Sequence, residues 1–258
     1  MPTTFKHLYR RIYAFETLYL AFRRARRGGK RKKEQVAAFE DGTVDVSAIP
    51  EDQAADVAAD PGLSARVERT ASPSLGFLGL NTALTPTNVI TVRKALASAI
   101  DRTYVLTNHL NQYWATAATS AIPPSMPGYQ NGAVGYDFDV AQAQAYLTEA
   151  GYPGGTGFPG VELWANSARA ALIEGIADQW RNNLGITVTT SIYEWTAYFD
   201  ALFGTCLDDP GSCSYNGFRL GWRMDYGDLY SVFGDLWHPD AGYAGLTAWD
   251  SPRYRELI

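Results

Sequence analysis

Apolar residues recur at three- and four-residue spacings over positions 5–27, where Leu8, Ile12, Phe15, Leu18, Tyr19 and Phe22 form one stripe with Arg and Lys opposite. Gly28-Gly29 ends the run, and the pattern is that of an amphipathic helix. A basic tail follows, Lys30 to Lys33, and then the periodicity changes. The pattern predicts a strand over Thr43–Ala48, a short helix over Glu51–Ala59, a strand over Ser74–Asn81 and one helix over VITVRKALASAIDR, through Arg102. In that helix Val92, Ala95, Leu96, Ala99 and Ile100 form the buried face. A Pro- and Gly-rich loop, AIPPSMPGYQNGAVGYDFD, leads to a helix over Val140–Ala150 with Gly151 as its stop.

Strands and helices then alternate: strand VELWAN, helix 169–184 with Leu172, Ile173, Ile176 and Trp180 inward, Gly185 as stop, strand ITVTTSIY, and a helix from Trp195 to Phe203. The next strand, SYNGFRLGW, runs into MDYGDLYSVFGDLW, and SPRYRELI begins a helix. This alternation predicts an α/β fold, a mixed or parallel sheet packed on helices. The longest apolar stretches, such as LGFLGL, are strand-sized, so no membrane span is expected.

Charge divides the chain. Of its 22 Lys and Arg, 11 lie in the first 33 positions, where Glu16 is the only acid; that head carries about +10 and the remainder about −15. We therefore expect a basic helical head, 1–40, and a separate acidic domain, 41–258. A basic amphipathic helix over 5–33 suits non-specific contact with nucleic-acid phosphates or an anionic surface. The start shows no apolar core of a secretory signal and no small-residue cleavage site, so the chain as written would stay in the cytoplasm.

Enzyme signatures are absent: no nucleophile elbow, HExxH, P-loop or GxGxxG after a strand. His7, His109 and His238 are scattered and read as structural or surface residues; no metal site and no cofactor is expected. Asp225 and Asp228 are near enough for a carboxylate-based hydrolase. Alternatively, Arg219, Trp222, Arg223 and Asp225 sit at the carboxyl end of a strand, where α/β proteins bind ligands, with Arg219, Gly221 and Arg223 pointing one way and Leu220, Trp222 and Met224 the other. There Asp225 would pair with a ligand ammonium and Trp195 or Trp222 would supply an apolar wall, unless Asp225 caps the next helix and the tryptophans are core. Cys206 and Cys213 flank the turn-forming CLDDPGSC. A disulfide suits an exported domain, free thiols a reducing cytosol.

Several blocks, in order, resemble one family. VRKALASAIDR at 92–102 resembles the VRxAxxxAIDR helix of extracellular solute-binding proteins, family 5, the oligopeptide and dipeptide receptors of ABC importers. AIPPSMPGY resembles their proline loop, and YDFDVAQAQAYLTEAGYP their YDxxxAxxLLxEAGYP segment. WRNNLGITVTTSIYEWTAYFDAL resembles the LGIxVxxxxxEWxxY block, GWRMDYGDLY the GWxxDYxDP block with Leu229 in place of Pro, and SPRYRELI the SNPxYDxLI stretch.

The resemblance covers about 41–258 and implies a periplasmic-binding-protein-like (type II) lobe, incomplete, since such receptors close two lobes over the ligand. It further implies a non-enzymatic, periplasmic or extracellular binding component that passes peptides or related small solutes to ABC permease subunits. By position, Asp225 would hold the peptide's α-amino group, Trp195 would line a side-chain pocket, and Trp222, Arg219 and Arg223 would be neighbours. The head, about 5–40, resembles instead the opening of group II intron and retroelement-type reverse transcriptases, HLYxxIxxxENLxxAxxxARxGK. This suggests a junction between unrelated coding pieces near 40–42.

Overall fold

The computed structural model describes residues 34–109, 115–132 and 135–258. The helix expected over 5–27 lies outside the described residues. The described residues fall into two units, one ending at Glu68 and one over Arg69–Ile258. In the first, α1 (Glu34–Glu40) is followed by extended chain and turns where a strand was expected over Thr43–Ala48. A strand there has no neighbour to pair with among the described residues; instead Asp41 Oδ1 accepts from the Thr43 backbone N–H at 2.8 Å, which makes a local turn. A 3₁₀ turn (Glu51–Gln53) leads into α2 (Ala54–Ala59) and α3 (Pro61–Ser64), the latter capped by Asp60 Oδ1, which accepts from Gly62 and Leu63.

The second unit is built on a four-stranded mixed sheet. Its first strand, β1 (Ser74–Leu80), precedes α4 (Ile90–Ser98) and α5 (Arg102–His109). The helix expected to continue through Arg102 breaks at Ala99. There Asp101 Oδ1 accepts from the Tyr104 N–H at 2.9 Å, which starts a new helix. Next come α6 (Val140–Glu149), β2 (Val161–Asn166), α7 (Ala170–Leu184) and β3 (Val188–Tyr193). Gly185, left-handed at φ 68°, ends α7 as expected. Helix α8 (Trp195–Phe199) runs into a π-helical turn (Asp200–Cys206), so the segment read as one helix from Trp195 changes pitch halfway. Strand β4 (Gly217–Arg223) and three short helices, α9 (Tyr230–Phe233), α10 (Gly242–Gly245) and α11 (Pro252–Arg255), complete the unit.

Strand order is β1-β4-β2-β3. β2 runs parallel to both β3 and β4, while β1 pairs antiparallel with β4. Alternation along the strands separates two faces. On one, Leu163, Ala165 and Val161 meet Val92, Leu96, Ala143, Leu147, Ile173 and Trp180 from α4, α6 and α7. The Trp180 indole donates to the Leu96 carbonyl at 2.9 Å, which satisfies the one polar atom this large ring buries. On the other face Trp164, Phe218 and Leu220 pack with Tyr198, Leu202, Cys206, Tyr215 and Leu246. A third cluster, Met126, Met224, Val232 and Leu236, lies under the carboxyl end of β4. Among the described residues no helix is long and apolar enough to cross a membrane.

Candidate ligand-binding site

Because β2, β3 and β4 are parallel, their carboxyl ends lie together at one edge of the sheet. Asn166, the 3₁₀ turn Ser167–Arg169, Glu194 with Trp195, and Arg223 with Asp225 all emerge there. In β4 the alternation is as expected: Leu220 and Met224 are buried, while Arg223 and Gly221 are exposed.

Arg219 is half-buried on the face that includes Gly76 and Gly221, directly paired across β1 and β4. A Cβ on Gly76 would come within 3.1 Å of an Arg219 guanidinium nitrogen, so the missing side chain is what lets the guanidinium lie over the sheet. No counter-ion faces it among the described residues. Burial first, and the like charge of Arg169 second, push its guanidinium down to about 10. Across the strand, the buried Tyr198 hydroxyl donates to the Arg219 carbonyl at 2.9 Å and to the Trp164 carbonyl at 3.2 Å. Burial raises that phenol well above its ordinary range.

Trp195 is 53% exposed at the start of α8, so it is not a core residue. A continuous run of rings joins it to Trp222. Trp195 lies 5.9 Å from Phe199, Phe199 stacks on Phe203 at 4.4 Å, Phe203 meets Tyr243 at 5.1 Å and Tyr243 meets Trp222 at 4.9 Å, centroid to centroid. The i, i+4 spacing of 195, 199 and 203 places the first three on one side of the helix. The Trp222 indole N–H and Asn166 Oδ1 are buried without a hydrogen-bond partner among the described residues.

Asp225 stands exposed in the turn after β4, and only its backbone N–H is engaged, by Ser231 Oγ at 3.3 Å. It caps no helix: the α9 N-terminus is served by Asp228, whose Oδ1 accepts from the Tyr230 N–H at 2.8 Å. That bond also gives Asp228 a structural duty and weakens the hydrolase reading. No group of three or more His, Cys, Asp or Glu suited to a metal ion occurs among the described residues. Cys206 and Cys213 are joined by a disulfide, with 5.9 Å between their Cα atoms. His109 packs over Gly175 and His238 contacts Asp240; His7 lies outside the described residues.

Sequence reading missed Arg169, Tyr198, Phe199 and Tyr243. Arg169 had a usable signal, since it falls in the turn after a predicted parallel strand. Tyr243 had none, because only the tertiary fold sets it between Phe203 and Trp222.

This is the α/β architecture of the periplasmic binding proteins, a mixed sheet flanked by helices. The chain belongs to the bacterial extracellular solute-binding proteins, family 5, whose model matches residues 30–244. It is 30% identical over 186 residues to the oligopeptide-binding protein OppA of Bacillus subtilis, covering 69% of this chain and 32% of that protein. To the dipeptide-binding protein of Escherichia coli it is 25% identical over 223 residues, 83% of this chain and 37% of the relative. A periplasmic oligopeptide-binding protein of Borrelia burgdorferi superposes with a TM-score of 0.64 at 26% identity, covering 81% of this chain and 39% of the other. The chain thus spans about a third of the length of the curated relatives it matches.

Proposed function

We propose that this chain is part of the substrate-binding component of an ABC importer, and that it takes short peptides as zwitterions outside the cytoplasmic membrane and passes them to permease subunits. One observation carries the reading: among the described residues, β4 bears a half-buried guanidinium without a counter-ion, Arg219, and six residues on, in the turn after the strand, stands an exposed carboxylate whose oxygens are unengaged, Asp225. In a binding site these are partners for the two charged groups every peptide has, so recognition tolerates varied side chains. The Arg219 guanidinium reaches Gly221, which leaves at most four residues of extended chain to Asp225, about 13 Å. That span fits up to about four extended peptide residues. Trp195 then forms an apolar wall, Trp222 backs the strand from its other face, where it packs against the Met224 cluster, Arg223 flanks the acidic end, and the action is closure over ligand with no bond made or broken.

Calorimetric titration of the 258-residue chain with a pool of di- to pentapeptides tests this, with Asp225→Ala alongside. Binding that the variant loses is the expected result; a folded chain that binds nothing from the pool would count against a peptide ligand.

The charge step favours a second reading for the head. Residues 5–33 would contact nucleic-acid phosphates, a fragment of reverse-transcriptase type joined to the domain near 40–42. Binding to duplex DNA that falls steeply with salt, and source DNA reads that cross the junction, would support it.

A further inference from the structure

Three carboxylates, Asp225 and Asp228 in the turn that follows β4 and Asp235 just past α9, have different occupations. Asp228 accepts from the Tyr230 backbone N–H at 2.8 Å. Asp235 accepts from the Tyr226 hydroxyl at 2.5 Å, while its own N–H donates to the Tyr230 carbonyl at 3.0 Å. Only Asp225 keeps its oxygens unengaged among the described residues. The Tyr226–Asp235 bond spans nine residues and closes the turn into a ring. Its short length is that of a hydroxyl donating to a charged oxygen, and the Asp235 carboxylate pushes the phenol up to about 12.

Tyr226 is 45% exposed, so hydrophobic packing does not account for where its ring sits. At the other side of the ring, the fully buried Ser231 takes the Asp225 N–H, and buried Met224 anchors the strand end by donating its N–H to the Pro73 carbonyl at 2.7 Å. The segment 225–229 is therefore held from below by Ser231 and from outside by Tyr226. Because Tyr226 adjoins Asp225, freedom in the φ and ψ of residue 226 becomes displacement of the carboxylate beside it. Charge-assisted contacts are sensitive to such displacements.

We propose that Tyr226 and Asp235 are a positioning pair that fixes the turn presenting Asp225 to the ligand's ammonium group. Neither touches the ligand; both act through the backbone between them. The pair also removes Asp235 as a competing acceptor, so one carboxylate of the three faces the ligand. This inference rests on the reading of Asp225 given above.

The test compares the peptide pool with free amino termini against the same pool N-acetylated, by calorimetry on the full chain. The wild type is expected to prefer the free amines by roughly tenfold or more, and Asp225→Ala to abolish that preference. Tyr226→Phe and Asp235→Ala should each reduce the preference by roughly five- to tenfold while leaving affinity for the acetylated pool unchanged. A merely structural role would weaken both pools equally. Asp235→Asn, which keeps an oxygen acceptor for the phenol, should retain most of the preference and serves if either other variant does not fold. A wild type that binds without preference overturns the ammonium reading of Asp225. A preference that Tyr226→Phe leaves intact overturns the positioning pair alone.

Discussion

The Tyr198 hydroxyl lies 2.9 Å from the Arg219 carbonyl and ties the helix that carries Trp195 to the strand that leads to Asp225. The ring is fully buried, and the same hydroxyl reaches the Trp164 carbonyl at 3.2 Å. Tyr198→Phe keeps the packing and removes the donor, so it should destabilise the chain by about 1–2 kcal/mol. Urea unfolding followed by fluorescence measures this; an unchanged midpoint would mean that neither carbonyl depends on the hydroxyl.

Arg219 poses the opposite case. A guanidinium held down to about 10 by burial and by Arg169 is charged at neutral pH in a place that disfavours charge. Arg219→Met keeps the apolar stem and removes the charge. In the absence of ligand it should stabilise the chain by about 1 kcal/mol, while peptide affinity falls tenfold or more. Loss of stability together with affinity would show that a counter-ion or packing role had been overlooked.

Glu162 should dominate part of the acid limb of stability. Burial alone would raise its carboxyl, but hydrogen bonds from Ser191 at 2.7 Å, from Trp164 at 2.8 Å and from Ser214 outweigh this and hold it below the usual range. With the folded pKa below the unfolded value of about 4.3, the stabilisation is complete above that pH and is lost as pH falls through the folded pKa. Unfolding midpoints between neutral and acid pH should drop less steeply for Glu162→Gln than for the wild type. Parallel curves would remove Glu162 from the account.

The strands of the sheet were legible because each combines apolar alternation with a nearby stop: Ser74–Leu80 and Val161–Asn166 fall within a residue of their expected bounds. Gly185 was legible as a helix end because only glycine adopts φ 68° readily. The Thr43–Ala48 error arose from the same rule, for a Val-rich alternation says that a segment can be a strand, not that a neighbour is there to pair with it. At the site, the alternation of Arg219 and Trp222 across β4 followed from strand geometry. The Trp195-to-Trp222 ring path and the approach of Arg169 to Arg219 did not, since both join segments far apart in sequence.

The Cys206–Cys213 disulfide closes a loop seven residues apart, held further by Asn81, whose side-chain N–H donates to the Pro210 carbonyl at 2.8 Å. Chain-entropy reasoning gives a loop of this size about 2.5 kcal/mol. The double variant Cys206→Ala, Cys213→Ala should lower the unfolding free energy by about 2 kcal/mol, and a reductant should reproduce the loss in the wild type only. Equal sensitivity of both proteins to reductant would exclude the disulfide as its source.

Two adjacent glycines separate backbone conformation from space. Gly154, at φ 60°, has nothing within 4 Å of where a Cβ would sit; Gly155, at φ 80°, would place one 2.4 Å from the Gly185 carbonyl oxygen and 2.8 Å from that of Leu184. Gly154→Ala therefore meets only the left-handed penalty, about 1–2 kcal/mol. Gly155→Ala meets the same penalty and must also push the turn after α6 away from the end of α7, where both neighbours are backbone and cannot rotate aside. It should destabilise by at least about 2 kcal/mol more than Gly154→Ala. The comparison is internal, so effects on the unfolded chain, nearly equal for two Gly→Ala changes side by side, cancel. Equal midpoints for the two variants in urea would show that the α6–α7 contact yields freely, and that the close approach of the two turns is not what holds these helices together.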